Sequence, residues 1–206
     1  MLLLGIAPYV AIPQPWESIL RVVILAAVIW ATSRDILRTL RVERWMSSTL
    51  LGLAVCALWV APDLLVPGWR AHWLFQNPIT GSLRTSIDPA QLADPLVVML
   101  RIARAALIVP IVEELFWRGW LPRWIIDKEF QGVPLGTYTR AAFVLTALLF
   151  ASEHGPYWEV GLACGIIYNW WMWRTKSLGD LVLVHAVTNG ALSAFVLVTR
   201  RWELWM

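Results

Sequence analysis

Five polar side chains, Glu113, Glu114, His154, His185 and Asn189, stand in or at the ends of otherwise apolar stretches of this sequence. An ionisable group at membrane depth costs about 3 kcal/mol even on the mildest insertion scales, so several in one chain mark a functional site by default. The first group is the run Glu113-Glu114-Leu115-Phe116-Trp117-Arg118. Adjacent helical positions point about 100° apart, so the two glutamates cannot share one role. Glu114 and Arg118 are four apart and can pair on one face, which leaves Glu113 aimed elsewhere, without a local partner and suited to taking and returning a proton. The bland alternative is that both acids merely mark a helix end at the interface.

The second group is Phe150-Ala151-Ser152-Glu153-His154, in which Phe150 and His154 share a helix face and Gly155-Pro156 ends the helix just after the imidazole. The apolar run before it is short for a full span, so His154 is expected below the surface in a polar cavity, with Glu153 turned away. The third is His185-Ala186-Val187-Thr188-Asn189, which stacks an imidazole and a carboxamide on one face. Two donors so aligned suit an oxyanion, although hydrogen bonding between helices would use the same residues.

Taken in order on three successive polar-bearing helices, Glu-Glu-x-x-x-Arg, Phe-x-x-x-His and His-x-x-x-Asn are far more specific than any one of them. The chain resembles the CPBP family of intramembrane endopeptidases, which includes the type II CAAX prenyl proteases and the Abi-type bacteriocin-immunity proteins. The resemblance runs from about 95 to 200, whereas 1–94 agrees only in being apolar helices with an outer connection. Within the family, Phe150 to Glu159 and Tyr168 to Asn189 look most similar to the CAAX protease-related proteins that accompany bacterial exosortase sorting systems. That likeness rests on Tyr168-Asn169-Trp170-Trp171 and Ser177-Leu178-Gly179-Asp180, whose chemistry does not follow from the residue types.

The resemblance implies a glutamate-type hydrolase needing no cofactor. Glu113 would be the base, His154 the partner of the attacking water, and His185 and Asn189 the oxyanion donors. Glu114 and Arg118 would form an orienting ion pair, and Phe150 would pack behind them. Its substrate would be a membrane-associated peptide or protein, and its setting a bacterial inner membrane, where an exosortase-type system is a candidate partner. Three rivals remain. Glu113, His154 and His185 also make a two-His, one-carboxylate set for zinc, although there is no His-Glu-x-x-His helix. A scaffold or immunity protein would use the same groups to bind a peptide without cutting it. A transporter is the weakest reading, since no paired interrupted helices suggest an inverted repeat.

The elements that must position these residues follow from composition. The 206 residues are 59% hydrophobic and 15% charged, with a mean hydropathy of +0.62, against about 25% charge in soluble domains. An all-α, polytopic transmembrane bundle of about six to eight helices in one domain is the expectation. Apolar stretches run at about 17–33, 46–66, 94–117, 141–153, 157–173 and 179–199, with Ser47, Pro95 and Asp180 as helix starts and Pro67-Gly68 and Gly155-Pro156 as breaks. For Trp120 to Phe130 an interfacial helix and a continuation of the preceding span are equally compatible. The apolar start, Met1 to Leu4, lacks a basic flank and meets Pro8, Pro13 and Pro15, so it reads as a partial or interfacial helix rather than a removed signal peptide.

The net charge of +3 does not indicate nucleic acid, because the basic residues flank apolar runs instead of forming one stripe. Connections 34–45, 118–140 and 174–176 carry most of them and are expected on the cytoplasmic side. The connection 67–93, with only Arg70 and Arg84, is expected outside, and Arg200 and Arg201 weigh against the pattern. The fifteen Trp residues exceed what interfacial belts among lipid headgroups need, so some should line the interior. Cys56 and Cys164 read as small apolar filler, without a disulfide.

Overall fold

A computed structural model describes residues 12–83 and 89–205. The expectation for Met1 to Leu4 and the charge at Arg84 lie outside those residues. Among the described residues six long helices follow one another: α1 Trp16–Thr39, α2 Trp45–Leu65, α3 Pro95–Ile126, α4 Arg140–Ser152, α5 Trp158–Thr175 and α6 Leu178–Thr199. They coincide with the six apolar stretches. The fold is all-α, with short turns of 3-10 helix at Trp69–Ala71, Phe130–Gly132, Gly155–Tyr157 and Trp202–Leu204. Three of the helices, α2, α3 and α6, are long and apolar enough to cross a membrane.

Helix starts and stops follow capping chemistry. Asp94 accepts from the Leu96 amide with Pro95 at the first position, Thr139 accepts from Ala142, and Ser177 accepts from Asp180. Helix α2 starts at Trp45 instead of Ser47, and α6 at Leu178 instead of Asp180, because Ser177 supplies the cap. Asp180 instead grips the chain before α2: its carboxylate accepts from the amides of Glu43 and Arg44 at 2.7 and 2.9 Å and pairs with the Arg44 guanidinium at 3.1 Å.

Helix α3 corrects one boundary and one placement. It runs on to Ile126, so Trp120 to Ile126 continues the span and the following connection is 127–139. Arg118, counted above among the residues of a connection, is 1% exposed inside the bundle. Two wider π-helical segments, Arg104–Ile108 and Leu115–Trp120, bracket Val109–Glu114. Each precedes a proline, Pro110 or Pro122, whose missing N–H and bulky ring cannot continue an α-helical ladder. Widening the turn accommodates the ring and re-aims the side chains between the two segments.

The packing centres on α2 against α6 and α4 against α5. One buried cluster, with Val55, Trp117, Phe150, Tyr168 and Leu181, lies toward the end where α1 joins α2; another, with Val60, Tyr157, Val160 and Val196, lies toward the opposite end. The outer surface shows lipid-type side chains such as Leu50, Leu53, Leu107, Leu148 and Val198. Trp117, Trp171 and Trp205 are buried, while Trp16, Trp45 and Trp173 are exposed. Cys56 and Cys164 are buried free thiols.

Helices α2 and α6 approach closely at Gly52 of α2, where a Cβ would come 2.6 Å from the Val184 carbonyl oxygen and 2.7 Å from the Val187 Cβ of α6. Gly52→Ala is therefore expected to destabilise the bundle by about 1–3 kcal/mol through overpacking, read as a lower unfolding midpoint in detergent. A midpoint equal to wild type would contradict this packing.

Candidate active site

The buried centre of the bundle is an ion network. Glu114 is 0% exposed, and both its oxygens accept from Nη1 of Arg118 at 3.1 Å. The rest of the guanidinium is also occupied: Nε donates to Oδ1 of Asn169 at 2.9 Å, and the group lies 4.4 Å from the Phe150 ring centroid. Asn169 in turn donates to the Phe143 carbonyl at 2.9 Å. Glu114 also holds His185, whose Nδ1 stands 2.7 Å from Oε1. A carboxylate already facing Arg118 accepts, so Nδ1 of His185 donates to it, and among the described residues Nε2 has no partner.

Beside this network lies a cavity of about 250 Å³ whose wall includes Glu113, His154, His185 and Asn189. The structure thus brings together all four residues singled out for chemistry, with Phe150 on the same wall and Glu114 and Arg118 directly behind. Among the described residues Glu113 has no hydrogen-bond or ion-pair partner; it is half-buried and faces the cavity. His154 is fixed from behind. Its Nδ1 donates to the Phe150 carbonyl at 2.7 Å, which leaves Nε2 with its lone pair when the ring is neutral. Phe150 and Trp59 hold the ring at centroid distances of 4.6 and 5.3 Å. Gly161 leaves the space it occupies, since a Cβ there would lie 3.0 Å from the imidazole. Glu153 is exposed, as its turn away from His154 implied.

Asn189 has a second duty. Its Nδ2 donates to the carbonyl of Ala105 at 2.9 Å. In the π register the amide of Val109 bonds to the Arg104 carbonyl, and the next amide in line for Ala105 belongs to Pro110, which has none. The side chain from α6 fills that vacancy, which commits one of its two N–H bonds and leaves the other for the cavity.

Three participants were not singled out as such by residue type: Asn169, Tyr168 and Trp59. Tyr168 is fully buried, donates to the Thr188 hydroxyl at 2.9 Å and lies 5.2 Å from the His185 ring. The available signal for Asn169 was a carboxamide within an apolar helix. Among the described residues no group of three His, Cys, Asp or Glu side chains is placed to hold one metal ion.

Fold and composition define an integral membrane protein of the all-α class with a polar cavity inside the bundle. Residues 95–191, just under half of the chain, match the family model described as type II CAAX prenyl endopeptidase Rce1-like. That segment contains the ion network together with Glu113, His154, His185 and Asn189. No curated protein and no solved structure compared with the chain matches it.

Proposed function

We propose that the protein is an intramembrane endopeptidase that hydrolyses a peptide bond of a membrane-associated peptide or protein, using water activated by Glu113 and His154. The observation that carries this reading is the division of labour between adjacent glutamates. Glu114 is consumed by Arg118 and His185, while among the described residues Glu113 faces the cavity unpartnered, on one wall with an imidazole whose Nε2 has no partner either.

In this mechanism water sits between the Glu113 carboxylate and Nε2 of His154. Its oxygen attacks the scissile carbonyl carbon as Glu113 takes its proton, and the carbonyl electron pair moves onto oxygen. His185, donating from Nε2 while Nδ1 is held on Glu114, and Asn189, through its remaining N–H, stabilise that oxygen. Collapse breaks the C–N bond, and the amine leaves with the proton that Glu113 returns. Membrane lipids and the substrate peptide are the proposed partners, in a bacterial inner membrane. An exosortase-type sorting system is proposed from the sequence likeness alone.

Comparing the peptides released from membranes of cells carrying wild type or Glu113→Gln tests the function: termini present only with wild type are its products. An identical set from both strains would reject proteolysis. Asn189→Ala is expected to lower the rate by about 10² to 10³. It should also cost about 1–3 kcal/mol of stability by orphaning the Ala105 carbonyl, so rate is measured on folded protein alongside its unfolding midpoint.

A further inference from the structure

Two cavities meet at a pair of arginines. The cavity holding Glu113 and His154 has Arg101, Arg104 and Trp205 on its wall. A second cavity, of about 410 Å³ between the start of α1 and α3, is lined by the same three residues. It is also lined by Glu17 and Arg21 of α1, which pair with each other. Three guanidiniums, Arg21, Arg101 and Arg104, thus stand within electrostatic reach of one another around one space. Among the described residues Glu17 is the one carboxylate on that cavity's wall; it pairs with Arg21 and lies within electrostatic reach of Arg104 without hydrogen-bonding to it.

Arg101 is anchored, donating to the Trp205 carbonyl at 3.2 Å with its guanidinium 5.2 Å from that indole. Arg104 is different: it is half-buried in a span and makes no hydrogen bond or ion pair among the described residues. Cations within membrane helices face the interior and pair with something, and a guanidinium offers a rigid fork of donors matched to a carboxylate. Its position on a wall shared with Glu113 favours an anion belonging to the substrate over one belonging to a surrounding lipid.

We propose that Arg104, seconded by Arg101, binds a carboxylate of the peptide substrate and so sets where the chain is cut. The proposal rests on the protease reading above. Arg104 and Glu113 are nine positions apart on α3, about 13 Å along the axis. An extended peptide covers that distance in about four residues, which fixes the spacing between the bond cleaved and the acidic group. The carboxylate has two sources, a chain terminus or an acidic side chain, and the chemistry at Arg104 is the same for both.

Binding tests this independently of cleavage, with the full chain carrying Glu113→Gln in nanodiscs of neutral phosphatidylcholine. The probes are dansyl-labelled six-residue peptides of leucine, valine and alanine in three forms: free acid, C-terminal amide, and amide with aspartate as the last residue. Fluorescence anisotropy should show the free acid, the aspartate form or both binding about tenfold or more tighter than the plain amide. Whichever form binds tighter identifies the source of the carboxylate. Adding Arg104→Gln should abolish the preference, and Arg104→Lys, which keeps the charge without the fork, should retain part of it.

Equal binding of all three peptides overturns the proposal, as does a preference that survives Arg104→Gln. An Arg104-dependent affinity for phosphatidylglycerol in the nanodisc, with no preference among peptides, also overturns it in favour of a lipid site. Arg104-dependent preference together with no cleavage of any peptide by wild type would leave the carboxylate site standing while rejecting the protease reading.

Discussion

Glu113→Gln is expected to lower peptide cleavage by about 10² to 10⁴ while leaving the bundle folded. The rate effect follows from chemistry. Glutamine has nearly the same volume but cannot take the proton from water, so the attacking oxygen keeps it and the barrier rises. The structural tolerance follows from placement: among the described residues Glu113 makes no hydrogen bond or ion pair, so the exchange orphans nothing. Measuring single-turnover cleavage and the thermal midpoint on the same preparation separates the two effects. Near wild-type turnover by folded Glu113→Gln protein would falsify the role assigned to this carboxylate.

The opposite pattern is expected one residue further on. Glu114→Ala or Arg118→Ala should each destabilise the fold by about 3–5 kcal/mol, because each leaves its partner as an uncompensated buried charge. Both groups are sealed, at 0% and 1% exposure, and each has further obligations: Glu114 to His185, and Arg118 to Asn169. Removing both charges together should cost less than the sum of the single changes, since neither orphan remains. Denaturation in detergent micelles across the four proteins of this double-mutant cycle measures the coupling. Additive losses would mean that the pair does not act as a unit. Neighbouring glutamates are thus expected to separate by assay, Glu113→Gln affecting rate and Glu114→Ala affecting stability.

The helices were legible in the sequence because lipid leaves the backbone little alternative to hydrogen-bonding with itself, so apolar runs of sufficient length translate directly into helices. The helix start at Pro95 and the Gly155-Pro156 break were readable for the same local reason, as were the Glu114–Arg118 pair at helical spacing and the shared face of Phe150 and His154. Arg118 shows where that reading stops. Counted by neighbourhood it belonged to a basic connection, but whether a guanidinium near a helix end faces water or the core depends on what other helices bring to it. Here those partners are Asn169 and Phe150, from α5 and α4.

The sequence by itself determined that this chain is an all-α membrane protein and which polar residues are out of place in apolar surroundings. Composition and periodicity are local properties, and the ordered motifs announced a common purpose. Only the tertiary structure decided how the work is divided. Whether Asn189 has both N–H bonds to offer, or spends one on the carbonyl that Pro110 leaves unpaired, depends on the crossing of α6 over α3. That Glu114 holds a histidine in addition to Arg118 depends likewise on where α6 delivers His185. The physical reason is that hydrogen bonds between helices are set by packing geometry across more than seventy residues of chain, over which residue types carry no record of distance.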